Sequence, residues 1–356
     1  MTISNLQRAL ASALFSATLA LVGCGGNNSS SAPKFTNVVS FGDSLSDVGT
    51  YRVGAVAALG GGEFTINGPQ NKIWVEDLAN AVGAPAPCAA QTGLDGAAAL
   101  GFSVPVTNHS GCYGYAQGGA RVTIPVGPGN AALGGSSALL GLLTVPVVTQ
   151  IQSYLAVNNG AFTGHELVTV WAGANDVFIQ SDTVAAAQES PTAAVTAMAT
   201  AGTELASYIV NEIIGKGANY VIVCDLPDIN LTPMGLAAPA AAQPLLTQLT
   251  TTFNQTLQAG LASVPSSKLI WVDLYTESQT EAASPVTYGL TNVTTPACNL
   301  NPTANPLSSS LICSAANLSG SNVLNYEYAD DVHPTPYAHA LIAKGVLTQM
   351  SQAGWY

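Results

Sequence analysis

The chain has 356 residues, of which 48% are hydrophobic and only 8% charged, with 35 Gly and 20 Pro. That length and apolar content suffice for a large buried core and exclude a small disulfide-held scaffold, while the shortage of charge excludes a charge-rich disordered tail. The 8 Lys and Arg stand against 20 Asp and Glu, a net charge of -12 that repels a phosphate backbone and makes nucleic acid a poor partner.

In chain order, Arg8 precedes an apolar, small-residue run from Ala9 to Gly23, too short to span a bilayer and patterned as a signal peptide over residues 1–23. Leu21-Val22-Gly23-Cys24 resembles the bacterial lipobox. That resemblance implies lipidation of Cys24, an exported protein, and, with Gly25 rather than Asp following, anchoring in the outer membrane. Residues 24–34 then read as a Gly/Asn/Ser tether between the lipid anchor and one domain, 35–356.

An exported chain can form disulfides. Cys88 and Cys112 flank a Gly/Ala-rich segment, and Cys298 and Cys313 flank one rich in Asn, Pro and Ser, so both pairs read as loop staples. Cys224 lies in the apolar run from Tyr220 to Asp225 and reads as a free core thiol.

Four short apolar runs, Val38–Phe41, Leu167–Trp171, Tyr220–Val223 and Leu269–Val272, have the character of parallel strands covered on both faces. Between and after them the spacing predicts helices over Ile73–Val82, Val147–Val157, Thr192–Ile214, Pro244–Leu261 and Pro336–Met350. Gly215 and Gly217 stop the third of these. Strands alternating with helices imply βαβ units on one parallel sheet, with loop insertions near 84–146 and 289–326.

Where the first strand ends, Phe41-Gly42-Asp43-Ser44-Leu45-Ser46-Asp47 puts Ser44 on a turn at the sheet edge where α/β proteins bind ligands. Ser46 stands where a nucleophile elbow has its second glycine. A hydroxyl nucleophile needs a base, and the chain offers His109, His165, His333 and His339. Asp330 precedes His333 by three residues, and Pro334 and Pro336 fix an extended loop in which its carboxylate can set the imidazole tautomer. Asp331 is the rival acid. His109 in a Gly/Ser loop, His165 before a strand and His339 inside the last helix read as surface or packing residues.

Acyl transfer also needs donors for an oxyanion. Tyr115–Ala120, with Gly118 and Gly119, and Gly173–Asp176, with Asn175, can supply them. No metal-site spacing occurs, since His333 and His339 lie six apart across a proline loop.

Together and in this order, these four segments resemble the GDSL or SGNH hydrolase family, over nearly the whole mature chain and including Gly68-Pro69 and Trp74. The resemblance implies a flavodoxin-like three-layer α/β/α sandwich with a mainly parallel five-stranded sheet. It implies Ser44 as nucleophile, Asp330 and His333 completing a triad, and an oxyanion hole of Ser44, Gly119 and Asn175, without a cofactor. Gly119 is preferred to Gly118 because the family's glycine precedes a small residue. The substrate is then a carboxylic ester or lipid, for a lipase, esterase, phospholipase or lipid acyltransferase. A polysaccharide O-acetylesterase and a nonenzymatic surface lipoprotein that binds a partner are the alternatives. Finally, the 289–326 segment, with Leu300, Leu307, Leu311 and Ile312 and a Cys298–Cys313 staple, reads either as a lid over an acyl site or as a surface insertion.

Overall fold

Successive residues of an extended strand face opposite sides, so a buried run such as Val38–Phe41 can feed two cores at once. The computed structural model describes residues 32–356; the signal peptide, Cys24 and the tether through Ser31 lie outside the described residues. The strands are β1 (Val38–Gly42), β2 (Gln91–Asp95), β3 (Ser103–Asn108), β4 (Leu167–Trp171), β5 (Tyr220–Cys224) and β6 (Leu269–Val272). In order β1-β4-β5-β6 they form a parallel sheet, with Val39 opposite Val168, Val168 opposite Val221 and Val221 opposite Leu269. β2 and β3 form a separate antiparallel hairpin.

The helices are α1 (Gly54–Ala58), α2 (Trp74–Ala81), α3 (Gly135–Leu140), α4 (Val147–Val157) and α5 (Ala174–Ala185), followed by α6 (Pro191–Tyr208), α7 (Pro233–Ala237), α8 (Gln243–Leu261), α9 (Leu274–Ala283) and α10 (Pro336–Gln352). On one face of the sheet Val39, Phe41, Val168 and Val221 pack with Ile151 of α4, Met198 of α6 and Phe253 of α8. On the other, Val38, Leu167 and Ile222 pack with Trp74 and Leu78 of α2 and Val346 and Met350 of α10. This is a three-layer α/β/α sandwich.

The parallel sheet has four strands rather than five. The fifth position, along the free edge of β1, is filled by Tyr113–Gln117. Ser40 N–H donates to Tyr113 O (3.1 Å), and Tyr115 and Gln117 N–H donate to Ser40 O (2.8 Å) and Gly42 O (3.2 Å). The pairing stays irregular because the segment is tied at Cys112 to Cys88 and presses Gly114 against the chain beside it. A Cβ at Gly114 would lie 2.4 Å from Val48 Cγ2.

Other differences are local. The third expected helix passes at Ile209 into a π-helical stretch through Ile214. The 84–146 insertion holds the β2–β3 hairpin and α3, and it builds a third core from Leu94, Phe102 and Leu142 with Tyr51 and Phe64. Cys88–Cys112 and Cys298–Cys313 are disulfides. Cys224 is a buried free thiol whose pKa burial pushes well above the usual range.

Candidate active site

β1 ends in a turn that only glycine allows. Gly42 has φ +147°, and a Cβ there would stand 2.0 Å from the Trp171 carbonyl oxygen. The side-chain amide of Gln150, on α4, clamps this residue from both sides. Its Oε1 accepts from Gly42 N–H (2.9 Å), and its Nε2 donates to Gly42 O (2.8 Å). Asp43 then caps the one-turn 3₁₀ helix Ser44–Ser46 by accepting from Leu45 N–H, and Trp74 Nε1 donates to Ser46 Oγ (3.1 Å). Ser44 is thereby held at the C-terminal edge of the sheet.

Asp330 orders the loop that carries His333. Its Oδ1 accepts from the N–H of His333 (2.8 Å) and Val332 (3.0 Å), and its Oδ2 accepts from Ser310 N–H (2.8 Å). His333 Nδ1 lies 2.8 and 2.9 Å from these two oxygens, and Nε2 lies 2.8 Å from Ser44 Oγ. With Nδ1–H donating to the carboxylate, Nε2 is the acceptor for the Ser44 hydroxyl. Phe64 packs against the imidazole with ring centres 4.9 Å apart. Burial alone would raise the Asp330 pKa, but the charge of His333 and these hydrogen bonds outweigh it and hold the carboxyl well below its ordinary range.

Asp331 is exposed and meets the neighbouring chain through its backbone carbonyl, which accepts from Met234 N–H (3.0 Å). His109 pairs with Thr92 Oγ1 (2.8 Å) in the hairpin region, and His165 is exposed before β4. His339 is wholly buried in α10, where desolvation pushes its pKa down to about 3.

Long-range ties hold the glycine loop against the serine turn and against the start of α5. Asp47 Oδ1 accepts from Gly49 (3.0 Å) and Thr50 (2.7 Å) N–H, while Oδ2 accepts from Gly118 N–H (2.8 Å). This carboxylate joins the serine turn to the glycine loop, and burial pushes its pKa up to about 6. Gly118 N–H is thus engaged, whereas among the described residues the N–H groups of Ser44 and Gly119 have no acceptor. Gly119 has φ +79°, and a Cβ there would meet Pro128 O at 2.2 Å. Asn175, in the first turn of α5, gives one Nδ2 hydrogen to Ala120 O (2.8 Å). Beside it Asp176 accepts from Arg121 Nε (2.9 Å) and Val122 N–H (3.0 Å), so the glycine loop is bound to the start of α5.

Ser44, Asn175 and His333 line one cleft, partly open to solvent, with Leu45, Trp171 and Phe178 among its apolar walls. No residue of 289–326 lines it, which favours the surface-insertion reading of this segment over the lid. Leu311 and Ile312 are instead buried against Tyr51, Phe64 and Phe102. The segment is a brace. Asn67 Nδ2 donates to Ser310 O and Cys313 O (both 3.1 Å), and Ser310 in turn holds Asp330. Replacing Cys298 and Cys313 by Ser is therefore expected to reduce stability by about 3 kcal/mol. It should reduce cleavage of short- and long-chain esters by the same factor; a loss confined to long chains would restore the lid.

Among the described residues, no group of three or more His, Cys, Asp or Glu is placed to hold a metal ion. Sequence reasoning missed Asp47, Phe64, Gln150 and Ser310 as supports of the site. Asp47 was within reach, since it closes the Phe41–Asp47 block; the other three carry no local signal.

The profile of the GDSL-like Lipase/Acylhydrolase family matches residues 38–346, from the first residue of β1 into α10. No curated protein matches the chain.

Proposed function

The chain belongs to the GDSL-like lipase/acylhydrolase family of ester-cleaving hydrolases, and on that premise we propose that it hydrolyses carboxylic esters through an acyl-enzyme on Ser44. His333 takes the Ser44 proton as Oγ attacks the ester carbonyl. Asp330, ionised, fixes the reacting tautomer and stabilises the imidazolium. The free N–H groups of Ser44 and Gly119 and the second Nδ2 hydrogen of Asn175 receive the oxyanion. His333 then gives its proton to the leaving alcohol and, in the second half-reaction, activates water against the acyl-enzyme.

The observation that carries this reading is the continuous chain from Ser44 Oγ to His333 Nε2 (2.8 Å) and from Nδ1 to Asp330 Oδ1 (2.8 Å) inside a cleft. The apolar walls support an acyl chain as the group placed on Ser44. A fluorophosphonate probe, which reacts only with an activated serine, should label the protein and fail to label Ser44→Ala. Equal labelling of the variant would place the nucleophile elsewhere, and no labelling of the wild type would favour a binding protein.

The proposal extends to the membrane. The lipobox-like Leu21–Cys24 and the two disulfides support an exported lipoprotein, anchored in the outer membrane through Cys24. Cys24→Ser should move the protein from the membrane fraction to the soluble one; unchanged attachment would remove the anchor assignment.

A further inference from the structure

Gln117 and Ala120 close a β-turn around the glycine pair, Ala120 N–H donating to Gln117 O (3.0 Å). Gly119, at the third position of this turn, has φ +79°, the value of a type II turn. A type I turn keeps the same closing hydrogen bond and differs by a rotation of the central peptide, here Gly118–Gly119, through about half a turn. Neither residue has a Cβ, so the pair itself bars neither form. The two forms are opposite in chemistry. In a planar trans peptide the C=O and N–H point in opposite directions, so the rotation puts Gly118 O where Gly119 N–H had been.

The groups that decide between them come from the segment just after the nucleophile. Asp47 fixes the start of the turn, its Oδ2 accepting from Gly118 N–H (2.8 Å). Tyr51 fixes the central peptide, its hydroxyl donating to Gly118 O (2.8 Å). Both side chains are wholly buried and themselves held, Asp47 by the N–H groups of Gly49 and Thr50, and Tyr51 by Thr144 N–H, which donates to its oxygen (3.3 Å). Burial and the charge of Asp47 push the Tyr51 pKa well above its ordinary range, so the phenol remains a donor. With Gly118 O drawn to Tyr51, Gly119 N–H points the other way, and among the described residues it has no acceptor although Gly119 is buried. Buried N–H groups are almost always paired, so this one is held for something that arrives. The turn is also next to the triad. A Cβ at Gly118 would stand 2.2 Å from Phe64 Cε2, and the same ring packs on His333.

We propose that Asp47 and Tyr51 are positioning residues that lock the Gly118–Gly119 peptide in its type II orientation, so that Gly119 N–H and not the Gly118 carbonyl faces the oxyanion. The inference rests on the reading of Ser44 as an acylated nucleophile with Gly119 N–H among its oxyanion donors. A rotated peptide would remove that donor and aim the negative end of a carbonyl dipole at the developing charge.

The test measures kcat and KM of the full chain on p-nitrophenyl butyrate, with affinity for a boronic acid that forms a tetrahedral adduct on Ser44. Tyr51→Phe deletes one hydroxyl and keeps the ring in the core it shares with Phe64. It should lower kcat and boronate affinity about tenfold or more and leave KM nearly unchanged. Asp47→Asn keeps an oxygen for Gly49 and Thr50, the side with two hydrogen bonds, and so turns a donating amide toward Gly118 N–H. It should lower kcat in the same way. Because both residues serve one donor, the double variant should lose no more than the about 10²- to 10³-fold that a single oxyanion donor supplies. Tyr154→Phe, on α4, is the control. It deletes a buried hydroxyl that donates to Glu166 Oε1 (3.2 Å) just before β4, at the opposite edge of the sheet, and should leave kcat unchanged. Undiminished kcat in either folded variant, a loss in KM alone, or an equal loss in Tyr154→Phe overturns the lock; should Asp47→Asn not fold, Tyr51→Phe decides alone. A wild type that cleaves no ester and takes no fluorophosphonate label instead defeats the ester-hydrolase reading.

Discussion

Ser44→Ala and His333→Ala are each expected to lower ester turnover by about 10⁴-fold or more, and the double variant should lose little beyond either single one. The reason is geometric. Nε2 of His333 is useful only while a hydroxyl proton lies 2.8 Å from it, and the Ser44 hydroxyl is a weak nucleophile without that base. Asp330→Asn should cost a similar factor, because an amide turned toward Nδ1 donates where the carboxylate accepts and so holds the wrong tautomer. It would also present a donor to the N–H groups of His333, Val332 or Ser310, which now converge on the carboxylate. Stability should fall as well. A carboxyl whose pKa is depressed by folding contributes stability at all pH values above its unfolded pKa, and this is lost as pH falls toward the folded one. Asp331→Asn, at an exposed side chain, should change turnover only slightly. Rates on p-nitrophenyl butyrate with parallel melting curves check the series. Additive losses from Ser44 and His333, or a larger effect at Asp331 than at Asp330, would break up the proposed triad.

What could be read beforehand follows the range of the interactions involved. The strands of the parallel sheet are buried on both faces, so each announces itself as a local apolar run, and α4 and α8 show helical periodicity after a proline. Asp330 and His333 are three residues apart in a proline-bounded loop, and their pairing is as local as a turn. α9 was overlooked because Leu-Tyr-Thr-Glu-Ser-Gln-Thr-Glu-Ala-Ala has almost no apolar stripe. It buries Leu274, Ser278 and Glu281, and the buried polar side belongs to the cleft. β3 was hidden for the opposite reason, since Ser-Val-Pro-Val-Thr-Asn is mostly exposed and interrupted by proline. The expected fifth strand fails because Tyr113–Gln117 is shaped by the Cys88–Cys112 bond and by close packing at Gly114, neither of which leaves a period-2 pattern. The Asp47–Gly118, Asn67–Ser310 and Gln150–Gly42 contacts join residues 71, 243 and 108 positions apart, beyond the reach of any local pattern.

Asn175→Ala is expected to lower kcat by about 10²- to 10³-fold with little change in KM, the mark of a donor that matters chiefly once charge develops on the carbonyl oxygen. The side chain also has a structural duty. One Nδ2 hydrogen is spent on Ala120 O, so removing it leaves a buried acceptor unpaired and should reduce stability by about 1–3 kcal/mol. The two roles separate because the Arg121–Asp176 pair and the bond from Val122 N–H to Asp176 still bind the glycine loop to α5 in the variant. The hole should therefore keep its shape while losing one donor. Asn175→Asp sharpens the comparison. A carboxylate there cannot donate and adds negative charge where the oxyanion forms, so its kcat should fall below that of the alanine variant. Affinity for a boronic acid that forms a tetrahedral adduct with Ser44 should decline in step with kcat, while affinity for a nonreactive substrate analogue stays nearly constant. A loss in KM instead of kcat would make Asn175 a substrate-positioning residue, and equal weakening of the boronate and the analogue would mean that the loop itself had moved.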